Sequence, residues 1–232
     1  MQTLKQIYRS TYSGENIITQ LTLSDNEWSP EVEFAPNQVF NSHTSTQAVA
    51  IGNGPSLIDS KFDLVHITNH KGGLFAENKL QSYGCNNLYK TFTPDFLIAI
   101  DDVVVEELAN SEYYKKNIVY TTGRNVLNNV GKFYLIPQNL TYDAGAIAAY
   151  MACFDGHKKI FLLGYDGYSS MPEHPNQAFW ISTLSLVAKT YNNVEFVRVM
   201  PSVTYACAPE LLRLPNFRQI DYRGFVLEAD IG

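Results

Sequence analysis

Six residues, Gly52-Asn53-Gly54-Pro55-Ser56-Leu57, follow directly on the apolar run Val49-Ala50-Ile51. Two glycines permit positive φ and let backbone amides approach a ligand with no Cβ in the way. Pro55 suits the first position of a helix, where its missing N–H costs nothing. A helix starting there offers free N–H groups and a partial positive charge to a phosphate. The turn lacks the Gly-Lys-Ser/Thr of a P-loop, and Leu57 stands where a dinucleotide fingerprint has its third glycine. The next expected strand ends in Thr68-Asn69-His70 rather than in an acid for a ribose, which disfavours NAD. A tight strand-to-helix turn without a ligand fits the same six residues equally well.

His174 is the second residue whose surroundings suit chemistry. It stands in Met171-Pro172-Glu173-His174-Pro175-Asn176, where two prolines can hold it over a crevice. Histidine titrates near neutrality and is the commonest general acid or base. A solvated loop histidine accounts for the same spacing. His43, His66 and His157 read as structural or solvated. Carboxylates cluster at the expected strand ends: Asp101-Asp102, and Asp166 within Gly164-Tyr165-Asp166-Gly167. Asp143, ahead of Ala144-Gly145, reads first as a helix N-cap. Asp166 alone reads as a turn residue, and Asp101 and Asp102 as caps. There is no Ser/His/Asp set, zinc spacing or Asp-x-Asp motif, although Asp101-Asp102 could hold Mg²⁺ against phosphates.

These residues need a scaffold that gathers them, and the pattern from Gln47 onward supplies one. Expected strands are Ala48–Ile51, Leu64–Thr68, Phe96–Ile100, Ile118–Thr121, Phe133–Ile136, Lys159–Leu163 and Val194–Val199. Most are short apolar runs without alternation, as when both faces of a sheet are covered. Helical stretches lie at Val103–Ser111, Ala144–Phe154 and Gln177–Tyr191. The alternation predicts an α/β fold, a doubly wound, mostly parallel Rossmann-like sheet over residues 46–232. Its ligand crevice would lie beyond the carboxyl ends of the strands. The segment Gly224–Ala229 reads as an edge strand or a second arm. Residues 1–45 form a separate N-terminal arm with a β-hairpin: Ile17–Leu23, a turn at Ser24–Glu27, and a return at Val32–Phe34. Its aromatics cannot form a core alone, so it reads as a docking or homo-oligomerisation arm.

Composition narrows the classes. The 232 residues carry a net charge of −6 and are 45% hydrophobic, with a mean hydropathy of −0.15, as in an ordinary globular chain. No Lys/Arg run is present to displace counterions, so nucleic acid is not an expected partner. Cys85, Cys153 and Cys207 are odd in number and lack metal-ligand spacing, which suits a reducing compartment. Met1–Lys5 shows no signal-like core, and no apolar run is long enough to span a bilayer. A soluble, cytoplasmic protein is expected.

From Val49 to Val199 the ordered set of motifs resembles a superfamily of bacterial sialyltransferases that use a CMP sugar. It also resembles their branch of motility accessory factors and 6-hydroxymethylpterin diphosphokinases. Ala50–Leu57 is similar to the opening motif that holds the nucleotide, and Asn69 falls at another nucleotide-contacting asparagine. Gly145 with the Ala-rich helix, then Lys159–Asp166, is similar to a second shared block. The resemblance implies a glycosyltransferase that inverts at the anomeric carbon and requires no cofactor. Gly52, Asn53, Gly54, Pro55, Ser56, Asn69, Gly145 and Gly164 would hold the nucleotide, and Asp101 or Asp166 ribose or sugar hydroxyls. His174 would be the base, and Tyr165 or Tyr168 would donate to the departing phosphate in place of a metal. Two departures stand out. Asp143-Ala144 replaces a hydroxyl pair, and Thr93–Asp101 looks more like the diphosphokinase branch. That branch implies Mg²⁺ on Asp101 with Asp102 or Asp166. A non-catalytic oligomeric binding protein on the same fold is the further alternative.

Overall fold

The computed structural model describes residues 46–57, 64, 67, 80–136, 140–169 and 174–231 in full, and the backbone of strand residues 3–10, 16–24 and 27–30. Three strands, β1 (Thr3–Ser10), β2 (Asn16–Ser24) and β3 (Glu27–Pro30), make a small antiparallel sheet in the order β1-β2-β3. The pairing Ser24↔Glu27 closes a hairpin at the expected turn. Its return strand is Glu27–Pro30; the anticipated Val32–Phe34 lies outside the described residues.

The main sheet has eight strands: β4 (Gln47–Ile51), β5 (Gln81–Cys85), β6 (Phe96–Ile98), β7 (Ile118–Thr121), β8 (Tyr134–Leu135), β9 (Lys159–Leu163), β10 (Glu195–Met200) and β11 (Phe217–Asp221). Their order is β11-β10-β9-β4-β5-β6-β7-β8, and every neighbouring pair runs parallel. The α-helices described in full are α1 (Asp102–Ala109), α2 (Tyr113–Lys116), α3 (Gly123–Asn128), α4 (Ala144–Phe154), α5 (Gln177–Thr190), α6 (Pro209–Leu212) and α7 (Tyr222–Ala229), alongside short 3₁₀ turns. The fold is α/β and doubly wound.

Strand order locates the site. The sheet is laid down from β4 outward through β5 to β8. The chain then crosses back through α4 and adds β9 on the other flank of β4. The two central strands pair in register, from Gln47↔Lys159 to Ile51↔Leu163. Connections leaving β4 and β9 diverge at this reversal, so a crevice opens beyond their carboxyl ends.

The strands sort their side chains into two cores. Ala48, Ala50, Ile160 and Leu162 join the layer built on α4 and α5. Val49, Ile51, Phe161 and Leu163 join Ile67, Leu88 and Phe225 on the other face. Helix α4 is buried at every position but Gly145. Its alanines let it lie close on the sheet, as expected of a helix apolar on all sides. Cys153 is packed within it.

Two expected strands are corrected. Ile67 is helical and Leu64 sits in a turn, so the run Leu64–Thr68 is not the second strand. Leu64 and Ile67 are three residues apart, one helical turn, and both pack on the β4–β9 core. The second strand is β5, whose sequence Gln-Ser-Tyr-Gly-Cys looks too polar for a covered sheet yet is fully buried. Its polar groups are paired internally. Asp95 accepts from the Ser82 N–H at 2.9 Å and hydroxyl at 2.8 Å, Tyr83 donates to Asp155 at 2.6 Å, and Gln81 meets the buried His157 ring at 2.8 Å. At the other end, Gly224–Ala229 belongs to α7 rather than to an edge strand; Asp221 caps it by accepting from the Gly224 N–H at 2.8 Å. The edge strand is the preceding Phe217–Asp221.

Candidate active site at the strand reversal

A cleft of about 790 Å³ opens where the chain order reverses, within the range of small-molecule sites, roughly 300–1,000 Å³. One wall comes from the turns after β4, β5 and β6: Gly52, Asn53, Gly54, Pro55, Cys85, Asn86, Ile100 and Asp101. The other comes from the loop after β9 and the starts of α4 and α5: Asp143, Gly145, Gly164, Tyr165, Asp166, Tyr168, His174, Asn176, Phe179 and Trp180. Of the residues singled out in the sequence, Ser56 is buried behind this lining, and Asn69 lies outside the described residues.

The glycine turn does not work as expected. Its amides are used within the protein: Gly52 N–H donates to Leu163 O at 2.8 Å, Gly54 N–H to Gly164 O at 3.0 Å and Leu57 N–H to Gly54 O at 3.2 Å. Ser56 gives its N–H and hydroxyl to Asp166, at 3.1 and 2.7 Å. Pro55 has no N–H, so the Asn53 N–H is the one left over in Gly52–Leu57 among the described residues. The glycines serve loop-to-loop contact. A Cβ on Gly54 would overlap the Asp166 carboxylate, and Gly164 itself has φ +69, a left-handed conformation that favours glycine. Residues 55–57 form a single 3₁₀ turn rather than the start of a long helix. The Asn53 amide donates to Cys85 O at 2.8 Å and ties β4 to β5.

The floor of the cleft is a hydrogen-bonded knot around Asp143. As the N-cap of α4, Asp143 accepts from the Ala146 N–H at 3.1 Å, and also from the Tyr168 hydroxyl at 2.5 Å and the Thr183 hydroxyl at 2.6 Å. Tyr165 donates to Gly145 O at 2.8 Å. Both tyrosine hydroxyls, expected to face a departing phosphate, are therefore spent in positioning the start of α4. Burial, reinforced for each by the Asp143 charge, pushes both well above the usual phenol range. Burial, with Asp143 behind it, likewise pushes the Cys85 thiol up to about 12, so it is a packed group and not a nucleophile.

His174 is exposed at the cleft and stacks on Trp180, with ring centroids 4.5 Å apart and planes 21° apart. The Asn176 N–H donates to its Nδ1 at 3.1 Å. An accepting Nδ1 places the proton of the neutral ring on Nε2. Asp101 caps α1 through the Val103 N–H at 3.1 Å, and Asp102 lies 3.9 Å from Arg124 on the surface. Among the described residues no group of three His, Cys, Asp or Glu side chains could hold a metal ion, and no helix is long and apolar enough to cross a membrane.

Sequence reasoning missed Asn86, Asn176, Phe179, Trp180 and Arg198. Asn86 follows β5 with φ 44, a conformation asparagine tolerates, and its side chain accepts from the Ile100 N–H at 3.1 Å. Once β5 is known, this is the strand-end asparagine that Asn69 was expected to be. Arg198 is hidden in an apolar strand, Phe196-Val197-Arg198-Val199, with 1% of its surface exposed. It donates to Tyr165 O at 3.1 Å and Asp166 O at 3.3 Å, directly behind the cleft.

Comparison with known proteins places solved sialyltransferases beside this chain. A mutant of the alpha-2,3/8-sialyltransferase CstII aligns with a TM-score of 0.46 and 17% identity, over 73% of this chain and 87% of that one. CstII from Campylobacter jejuni in complex with a substrate analogue aligns with a TM-score of 0.45 and 15% identity, over 73% and 86%. An alpha-2,3-sialyltransferase from Campylobacter jejuni in apo form aligns with a TM-score of 0.46 and 14% identity, over 81% and 84%. No protein-family model and no curated protein sequence matches the chain.

Proposed function

We propose that the chain is a glycosyltransferase acting on a nucleotide-activated sugar, with a CMP sugar as donor. The observation that carries this reading is the convergence of His174 and the Gly52–Pro55 turn on one 790 Å³ cleft at the strand reversal, where doubly wound folds bind nucleotides. The nucleotide lies against Gly52–Pro55, Asn86 and Asp101, with the sugar toward His174. The Asp101 carboxylate and the Asn53 N–H face ribose and phosphate oxygens.

Transfer then proceeds by attack of an acceptor hydroxyl oxygen on the anomeric carbon, as the bond to the CMP phosphate breaks. The hydroxyl proton passes to His174 and the electron pair leaves with CMP, so the centre inverts. Proton acceptance at Nε2 requires Nδ1 to carry the ring's own proton. The Asn176 N–H must therefore release Nδ1 when the acceptor binds. Tyr165 and Tyr168 shape the floor and hold Asp143 and Gly145 in place.

A thermal-shift screen of nucleotides and nucleotide sugars tests the donor class, because a ligand bound only by the folded state stabilises it by mass action. CMP and CMP sugars are expected to raise the midpoint most. His174→Ala should keep that shift and lose transfer. A His174→Ala protein with full transfer activity rules the mechanism out.

A further inference from the structure

We propose that Arg198 is the cation that balances the phosphate of the bound nucleotide, a buried positioning residue acting through the Tyr165–Asp166 backbone. The inference rests on the nucleotide-binding reading above and supplies what that reading lacks. The described lining of the cleft contains Asp101, Asp143 and Asp166 but no lysine or arginine, and the turn after β4 has spent every amide but that of Asn53 on Leu163, Gly164, Asp166 and Gly54. A phosphate entering there needs positive charge from elsewhere.

Arg198 has that charge in an unusual setting. The side chain projects from β10 with 1% exposure and donates to neutral oxygens: Tyr165 O at 3.1 Å, Ala206 O at 2.7 Å, Gln219 Oε1 at 2.8 Å and Asp166 O at 3.3 Å. No carboxylate pairs with it within 4.0 Å among the described residues. Burying a charge is costly unless an opposite charge meets it. Burial pulls the guanidinium down from its ordinary range, while the Cys207 thiol, within hydrogen-bond reach, and the Asp166 carboxylate act to hold it up. Asp166 is already shared with Ser56. An arginine held by backbone carbonyls under the floor of a cleft has no carboxylate bound to it, so part of its field reaches that cleft. Charges interact more strongly there than in water. The same contacts fix the loop that carries Tyr165 and Asp166, so Arg198 shapes the site and sets its potential at once.

The test separates charge from shape. Affinities of CMP and of uncharged cytidine are measured by calorimetry for the wild type, Arg198→Lys and Arg198→Met. In the wild type CMP should bind at least ten-fold tighter than cytidine. Arg198→Met should erase most of that ratio, and Arg198→Lys should retain part of it. A merely structural arginine would weaken both ligands alike and leave the ratio unchanged, which overturns the inference while CMP binding still upholds the functional reading. If neither ligand binds the wild type, both proposals fall. Should Arg198→Met not fold, a ³¹P titration of CMP bound to the wild type decides. The phosphate must lose its second proton at lower pH than free CMP does, and an unchanged or raised titration overturns the inference.

Discussion

Ser56 donates twice to the Asp166 carboxylate, from its N–H at 3.1 Å and its hydroxyl at 2.7 Å, across 110 residues of sequence. The anion at this turn is thus the protein's own. Removing the carboxylate leaves two donors beside a buried residue, and hydrogen bonds to charged groups are worth about 1.5–3 kcal/mol each. With both bonds lost, about 3–6 kcal/mol in all, Asp166→Ala is expected to lower the melting midpoint by roughly 6–24 °C, at about 2–4 °C per kcal/mol for a chain of this size. Ser56→Ala, which loses the hydroxyl bond alone, should fall by less. Thermal unfolding followed by circular dichroism checks the order of the two.

Stability should fall steeply on the alkaline side. The Cys85 thiol is pushed up to about 12 from 9.0 by burial and then by Asp143, and Tyr165 and Tyr168 are raised for the same leading reason. Each group keeps its proton in the folded state after the unfolded chain has lost it. Its stabilisation is therefore complete below the unfolded value and is lost as pH rises toward the folded one. The thiol alone accounts for at most about 4 kcal/mol between pH 9 and 12. Urea unfolding across that window should show the loss, and Cys85→Ala should flatten it relative to its own stability at neutral pH.

The ring of His174 makes a spectroscopic prediction. With Nδ1 accepting from the Asn176 N–H, long-range ¹H–¹⁵N spectra of the free protein at pH 8 should show the Nε2–H tautomer. Adding CMP together with an acceptor sugar should shift the population toward Nδ1–H. A free protein already in the Nδ1–H form would contradict the 174–176 contact.

Chelation should have little effect. Asp101 is engaged as a cap and Asp166 with Ser56. The CMP-induced thermal shift is expected to be unchanged by EDTA, within a two-fold change in apparent affinity. Loss of the shift in EDTA and its recovery with Mg²⁺ would instead favour the diphosphokinase-like alternative.

Strand β5 supplies a last prediction and shows where sequence reading gives out. Asp95→Ala removes the acceptor for the Ser82 N–H and hydroxyl, both inside a fully buried strand. Orphaned buried donors cost about 1–3 kcal/mol each, so a chemical-denaturation midpoint should drop well beyond that of a surface control such as Glu112→Ala. The sheet was legible wherever burial was written in apolar residues, as in Ile118–Thr121 or Lys159–Leu163. It was illegible at Gln81–Cys85, where polar groups are buried because Asp95, Asp155 and His157 meet them from elsewhere in the chain. No local pattern records such partners. The same limit hid Asn86 and Arg198, whose significance depends on neighbouring strands. The Gly52–Ser56 turn was found for the right spacing, but its amides face Leu163, Gly164 and Asp166, contacts that only the strand order reveals.

Placing β4 beside β9 also fixes when the cleft can exist during synthesis. These two strands are separated in sequence by the whole of β5 to β8, and closing so long a loop carries an entropic cost that local contacts do not repay. A nascent chain that has emerged only as far as β8 has half a binding site and an uncovered flank on β4. Ligand binding can begin only after β9 docks, which makes the cleft a late product of folding and any nucleotide a reporter of its completion.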